Sequence, residues 1–323
     1  MPATAPPHPP QHPPTQPPAQ PSATTAAQTA RAAEPIIHPT SEVSSECELG
    51  EGVEIGPYCF LKGKVKLGAG VKLLGNNYIA GDVGPVVIGA RTIVYPFACI
   101  GYEPQDFKFI GTGLKSAGVV IGTDCLIREH ATIHAASHDA PSPPTTIGNK
   151  VFLMVSTHIA HDCLIGNNVV LVNGAGVAGH SVLEDNVTLG GNAVIHQFCR
   201  IGRMVMMSGD CAVSLDVPPF CMVNERNRIG GLNTVGLRRG GMPREQITEL
   251  RRAFRDLLRD PMPRARVISE MTERGRSCEP VAEMARFIAA SKRGICPGMG
   301  KGLRGSRMNA SKDGEGMGMD SED

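Results

Sequence analysis

The sequence predicts a mainly β chain, a left-handed parallel β-helix of hexapeptide repeats followed by a C-terminal α-helical domain. Three observations point there. Aliphatic residues recur at every sixth position, glycines commonly follow them by one place, and the 323 residues include 38 Gly but no Trp and only 4% aromatic residues. An α-helix needs three or four apolar positions in every two turns to cover a core, so one aliphatic in six cannot serve it. A short strand, a corner and another short strand can. Stacked coils then pair edge to edge at about 4.8 Å, and burial grows with each repeat added. A prism filled by single Ile, Leu and Val side chains has no room for Trp.

Each segment follows from the same reading. Residues 1–35 hold 11 of the 26 prolines and no Val, Ile, Leu or aromatic residue, a composition that cannot offset chain entropy and reads as a disordered leader. A targeting role for it stays open. From Ile37 the six-residue step runs through Val43, Leu49, Ile55, Leu61, Leu67, Leu73 and Ile79. It resumes at Ile88, Val94, Ile100, and at Ile121, Ile127, Ile133. The longest series holds 12 members, from Ile147 through Ile159, Val177 and Ile195 to Val213. The interruptions at 80–87, 102–120 and 134–146 keep the rhythm on either side, so they are expected as loops thrown out from corners. The β-helix is placed at 36–223. Pro243 then suits a helix start, with Ile247, Leu250, Phe254, Leu257 and Leu258 at helical spacing until Pro261 and Pro263. A second helical stretch is expected near 280–293, giving a helical domain at 224–296 and a flexible tail at 297–323.

Composition removes several functions. A net charge of +1 and few aromatics argue against a nucleic-acid binder. No run of 18 apolar residues is present, so no helical membrane span is expected, and the start lacks the pattern of a secretory signal. The 10 cysteines contain no CxxC pair, which fits reduced, buried thiols in the cytoplasm. Residues 226–296 carry 16 Lys and Arg against 8 Asp and Glu, so the helical end is basic.

The histidines fall into register. Ile159, Val177 and Ile195 lie three hexads apart, and His158, His161, His180 and His196 sit within three positions of them. Four histidines in three successive coils are expected to cluster at one edge of the prism. Imidazole is suited to accept a proton near neutrality. Cys163 and Cys199 are expected as inward fillers and not as nucleophiles.

The segments His158-Ile-Ala-His161-Asp162-Cys163, Ala178-Gly179-His180, Val194-Ile-His196-Gln197-Phe198-Cys199, Asp216-Val-Pro-Pro219, Asn233–Arg239 and Phe287–Ile295 resemble the acyl-carrier-protein:UDP-N-acetylglucosamine O-acyltransferase family, which opens lipid A synthesis. The similarity spans roughly 36–296. It implies transfer of a 3-hydroxyacyl group from acyl carrier protein to the glucosamine 3-hydroxyl, with no cofactor and no metal. His161 matches the family's general base, Asp162 its partner, and Gly179 the backbone donor to the oxyanion. His158, His180 and His196 match histidines lining the site, and Gln197 and Asn233 match nucleotide contacts. Arg239 matches an arginine near the diphosphate, while Asp106 and Lys108 match sugar-side and acyl-side contacts. Gly209 falls where the family sets acyl length. The resemblance further implies a cytoplasmic homotrimer with the cleft between subunits, and an acidic carrier protein that would suit Arg244, Arg251, Arg252, Arg255 and Arg259.

Departures from the family pattern occur at Ala135-Ala136, where Arg-Gly is usual, at Gly240, where some members carry Arg, and across 224–231. Other readings are an N-acyltransferase on a 3-amino sugar nucleotide, a non-catalytic β-helix scaffold, and a zinc hydratase using His130, His134 and His138 or His158 with His161.

Overall fold

The computed structural model describes residues 33–113 and 115–298. Most of the expected leader, and the expected tail past residue 298, lie outside the described residues. The rest forms a parallel β-solenoid of short strands closed by four helices.

Most strands are two residues long, and each pairs in parallel with its counterpart one coil further on. In uninterrupted coils the offset is 18 residues, as in Phe152 with Val170 and Val170 with Thr188. Eleven strands form one ladder, from Ile36–Ile37 to Arg228–Leu232. The other two faces merge into a single 15-stranded ladder, because Phe60–Leu67 and Tyr78–Ile88 run through the corner between them. Segment 80–87, expected as a loop, is therefore strand. Gly63 pairs with Gly81 at that corner, and a Cβ on either glycine would press into the neighbouring backbone. Two backbones can cross the corner together only because neither carries a side chain there.

Each hexad has two inward positions. The aliphatic series is buried from Ile55 to Val213, while Ile37 at the first coil is exposed. Four residues after each aliphatic comes a second, smaller inward side chain, such as Val151, Thr157, Cys163, Val169 and Ala175. This second position accounts for Cys59, Cys125, Cys163, Cys199 and Cys211, all free and buried. Burial pushes the Cys163 thiol up to about 12 and the Cys199 thiol up to about 11, so both are inert fillers.

Corners recur every six residues with a left-handed backbone. Asp162, Asn168, Gly174, His180, Asn186, Asn192 and Phe198 all have φ between 54° and 71°. Asn, Asp and Gly enter this region at least cost. Except at Asp162, the N–H of each such corner residue reaches a carbonyl in the coil before it, as Asn186 reaches Asn167 at 2.9 Å.

The solenoid ladder runs past the expected boundary at 223. Cys221–Glu225 closes the last coil, and Arg228–Leu232 turns back antiparallel to it. Four helices follow: α1 (Thr234–Arg239), α2 (Arg244–Leu257), α3 (Arg264–Gly275) and α4 (Glu279–Ala290). Pro243 caps α2 as expected, but Ala253 is buried where Phe254 was expected, and Phe254 is half-buried. Helix α3 was not expected, because Pro261 and Pro263 read as a stop. Pro263 is instead its N-cap, and only Val267 and Met271 are buried on it, too thin a stripe to read from spacing. Helix α4 docks on the solenoid through the Arg203–Glu283 fork, with contacts of 2.8 and 3.0 Å, and through Arg200 over the Phe287 ring at 4.3 Å.

Leu171 is fully buried in the prism. Leu171→Ala should lower unfolding stability by about 2–5 kcal/mol, read as a lower urea midpoint.

Candidate active site

The segments that interrupt the six-residue rhythm leave or cross at one corner of the prism. Residues 80–87 cross there as strand, 103–118 and 135–144 leave it as loops, and Asp162, His180 and Phe198 stack there in the next three coils. Eighteen-residue spacing sets this stacking. His180 lies face to face with Phe198, centroids 4.6 Å apart, and edge-on to His161 at 5.1 Å. His180 and Phe198 hold φ of 60° and 66°, a strained conformation for such side chains.

His161 Nδ1 lies 2.6 Å from Asp162 Oδ2. The other carboxylate oxygen accepts the Ser137 N–H at 3.0 Å, and His180 Nε2 stands 3.5 Å from Oδ2. Burial alone would raise the Asp162 pKa. The hydrogen bonds from His161 and Ser137 and the nearness of His180 outweigh it and hold the carboxyl at about 2. Asp162 is therefore ionised at neutral pH and fixes the His161 ring so that Nδ1 is occupied and Nε2 is left to act.

The surrounding histidines are kept neutral. Burial, with His158 and His161 adding to it, pushes His134 down to about 4. Burial and then His161 lower His158, and burial lowers His180 against the pull of Asp162. His158 is oriented by Thr132, whose Oγ1 is 2.7 Å from its Nδ1, and it meets His134 edge-on at 5.0 Å.

Beside this array runs an open groove of about 310 Å³, lined by Gln105, His134, His158, His161, Gly176 and Gly179 among others. Gly176 occupies the register position of His158 one coil on, and its missing side chain opens the groove. At Gly179 a Cβ would stand 2.8 Å from His161 Nε2, so only glycine lets that ring keep its place. The Gly179 N–H donates to no group among the described residues.

The other expected site residues fall elsewhere. Asp106 and Lys108 pair with each other at 3.2 Å on the 103–118 loop, and their charges reach His161 and His180 respectively. His196 and Gln197 are exposed beyond Val194 and Ile195 on the groove wall. Asn233 has structural contacts of its own. It caps α1 by accepting from Gly236 N–H at 2.9 Å, and its Nδ2 donates to Met204 O at 2.9 Å. Arg239 closes α1 and does not line this groove. Gly209 faces Gly191 O, 3.2 Å from a Cβ built on it. On α2, Arg252 and Arg255 are paired with Glu249 and Asp256.

Reasoning from sequence missed Gln105, Gly176 and the groove role of His134. Counting 18 from His158 finds Gly176; nothing in the sequence shows where Gln105 folds. The His130, His134, His138 set does not converge. His130 stacks on Phe97 at a different corner, and His138 Nδ1 lies 2.6 Å from Ser137 Oγ. Among the described residues, the grouping able to hold a metal is His161, Asp162 and His180, with ligand atoms within 4.8 Å of one another. Two of those atoms already satisfy each other.

A hexad solenoid with a histidine–carboxylate corner has the architecture of the hexapeptide-repeat acyltransferases. The family model for the bacterial transferase hexapeptide matches residues 144–179, and that for UDP-N-acetylglucosamine O-acyltransferase, domain 2, matches residues 216–296. An acyl-[acyl-carrier-protein]--UDP-N-acetylglucosamine O-acyltransferase of Thermodesulfovibrio yellowstonii is 41% identical over 261 residues, covering 80% of this chain and 98% of that protein. The solved Moraxella catarrhalis UDP-N-acetylglucosamine O-acyltransferase aligns with TM-score 0.74 at 34% identity, covering 80% of this chain and 99% of that one. The Francisella novicida UDP-N-acetylglucosamine acyltransferase aligns with TM-score 0.75 at 29% identity, covering 87% and 100%. The chain belongs to the acyl-[acyl-carrier-protein]--UDP-N-acetylglucosamine O-acyltransferase family.

Acid should weaken the fold through His134. Its folded pKa of about 4 lies below the ordinary 6.5, so between those values the unfolded chain binds a proton that the folded chain does not. Stability is full above about pH 6.5 and falls by on the order of 3 kcal/mol as pH drops toward 4. Urea titrations at pH 7 and pH 4.5 should show this loss, and His134→Leu should reduce it.

Proposed function

We propose that the protein moves a 3-hydroxyacyl chain from acyl carrier protein to the glucosamine 3-hydroxyl of UDP-N-acetylglucosamine, the first step of lipid A synthesis, with His161 as general base. The observation that carries this reading is the 2.6 Å contact of His161 Nδ1 with Asp162 beside a groove that also presents the uncommitted Gly179 N–H. A sugar hydroxyl is a poor nucleophile until its proton leaves. His161 Nε2 takes that proton as the hydroxyl oxygen attacks the thioester carbonyl. The resulting oxyanion accepts the Gly179 N–H, a fixed dipole that needs no reorganisation. Collapse expels the carrier thiolate, which recovers the proton from His161. Asp162 stays ionised throughout and balances the transient imidazolium charge. No side-chain nucleophile takes part, and the buried thiols are unsuited to the role.

The groove of one chain is open along its outer side, and Asn233, Arg239, His196 and Gln197 do not line it. We infer that the working form is a cytoplasmic homotrimer in which the neighbouring chain closes the groove and contributes nucleotide contacts. The exposed Arg244 and Arg251 on α2, unpaired among the described residues, suit the acidic surface of a carrier protein.

Incubation with UDP-N-acetylglucosamine and 3-hydroxyacyl carrier proteins of different lengths should give the 3-O-acyl product, read by mass spectrometry. His161→Ala should lower kcat by about 10²–10⁴-fold with an unchanged far-ultraviolet spectrum. Gly179→Ala should also fall sharply, because its Cβ displaces the His161 ring. Gly209→Met should favour shorter acyl chains than the wild type takes. Wild-type turnover by His161→Ala would contradict the mechanism.

A further inference from the structure

Asp162 departs from the rule that fixes most of the other corners; at the start of the solenoid Tyr58 also meets a threonine hydroxyl, Thr40 Oγ1, at 3.1 Å, but that pair is exposed. In most complete coils the left-handed corner residue donates its N–H to the carbonyl 19 residues earlier: His180 to His161 at 3.1 Å, Phe198 to Gly179 at 3.0 Å, Asn192 to Asn173 at 2.9 Å. Beneath Asp162 the preceding coil is opened by the 135–144 loop, and no such carbonyl is reached. The Asp162 N–H donates to Thr145 Oγ1 at 2.8 Å instead. Thr145 is fully buried at the point where the loop rejoins the prism.

The same loop holds Asp162 from its other stem, where the Ser137 N–H meets Oδ1. Both stems are fastened to one carbonyl: Gly118 O accepts the Ala136 N–H at 3.2 Å and the Thr145 N–H at 3.1 Å. Gly118 has φ +81°, and a Cβ on it would collide with the Pro85 carbonyl. The backbone turn of Asp162 thus hangs on one stem and its carboxylate on the other.

We propose that Thr145 is a positioning residue for acyl transfer, its hydroxyl replacing the missing corner carbonyl and so fixing the Asp162 carboxylate against His161. The proposal rests on the reading of His161 and Asp162 as base and partner. Thr145 does not line the groove, so its loss acts on the chemical step and not on sugar-nucleotide binding. Valine fills the same space without accepting a hydrogen bond, and serine keeps the acceptor.

The test is a double-mutant cycle on the full-length protein, with kcat and KM measured for Thr145→Val, Thr145→Ser, Asp162→Ala and Thr145→Val with Asp162→Ala. Thr145→Val should lower kcat about tenfold, the size of one hydrogen bond, with KM for UDP-N-acetylglucosamine unchanged. Thr145→Ser should recover most of the wild-type rate. In the Asp162→Ala background Thr145→Val should have no further effect on kcat. An equal fold-loss in both backgrounds, or no rescue by serine, would overturn the proposal as a purely structural effect. Should Thr145→Val not fold, Thr145→Cys, with its poor sulfur acceptor, takes its place under the same criteria. Wild-type turnover by Asp162→Ala would instead overturn the reading of the site, and the proposal with it.

Discussion

The structure depends on one repeated constraint: a backbone N–H at a left-handed corner bonded to the carbonyl of the coil before it. That bond fixes the rise from coil to coil, and with it the register that brings residues 18 apart onto one edge. Inward packing then follows, because each six-residue step delivers one large aliphatic and one small side chain to a prism too narrow for more. Each coil satisfies the backbone of the next, so no central layer is left with an open edge.

Chemistry is placed where the constraint is relaxed. The interrupting segments all meet one corner, and that corner carries His161, Asp162, His180 and Phe198. The loops supply what regular coils cannot: Gln105, Asp106 and Lys108 near the groove, and the Ser137 N–H for the Asp162 carboxylate. Burial and mutual repulsion keep His134, His158 and His180 neutral, while hydrogen bonds keep Asp162 charged. One negative charge among neutral rings leaves a single imidazole with a carboxylate at its back, which is the arrangement a general base needs.

The solenoid was legible because its signal is local and periodic. Ile147 to Val213 need only be counted in sixes, and the same count predicts that His161, His180 and the residues beside Ile195 share an edge. What escaped depends on contacts the period does not encode. Segment 80–87 reads as an interruption, yet Gly63 and Gly81 carry it through the corner as strand. Helix α3 follows prolines that read as a stop. The motif that holds Asn233 did not show that its side chain also caps α1, and His134 gave no hint that it borders the groove, since its exit from the strand is set by the loop that follows. The Cys163 and Cys199 thiols, read as inward fillers, are buried, at a second inward position that the count of aliphatics does not show.

The most direct test of the account is a crystal structure of the protein with the 3-O-acylated sugar nucleotide bound. The ester carbonyl oxygen should lie within about 3 Å of the Gly179 nitrogen, with the ester-linked oxygen of the sugar within hydrogen-bond reach of His161 Nε2. An ester bound away from this corner, with His161 and Gly179 untouched, would contradict it.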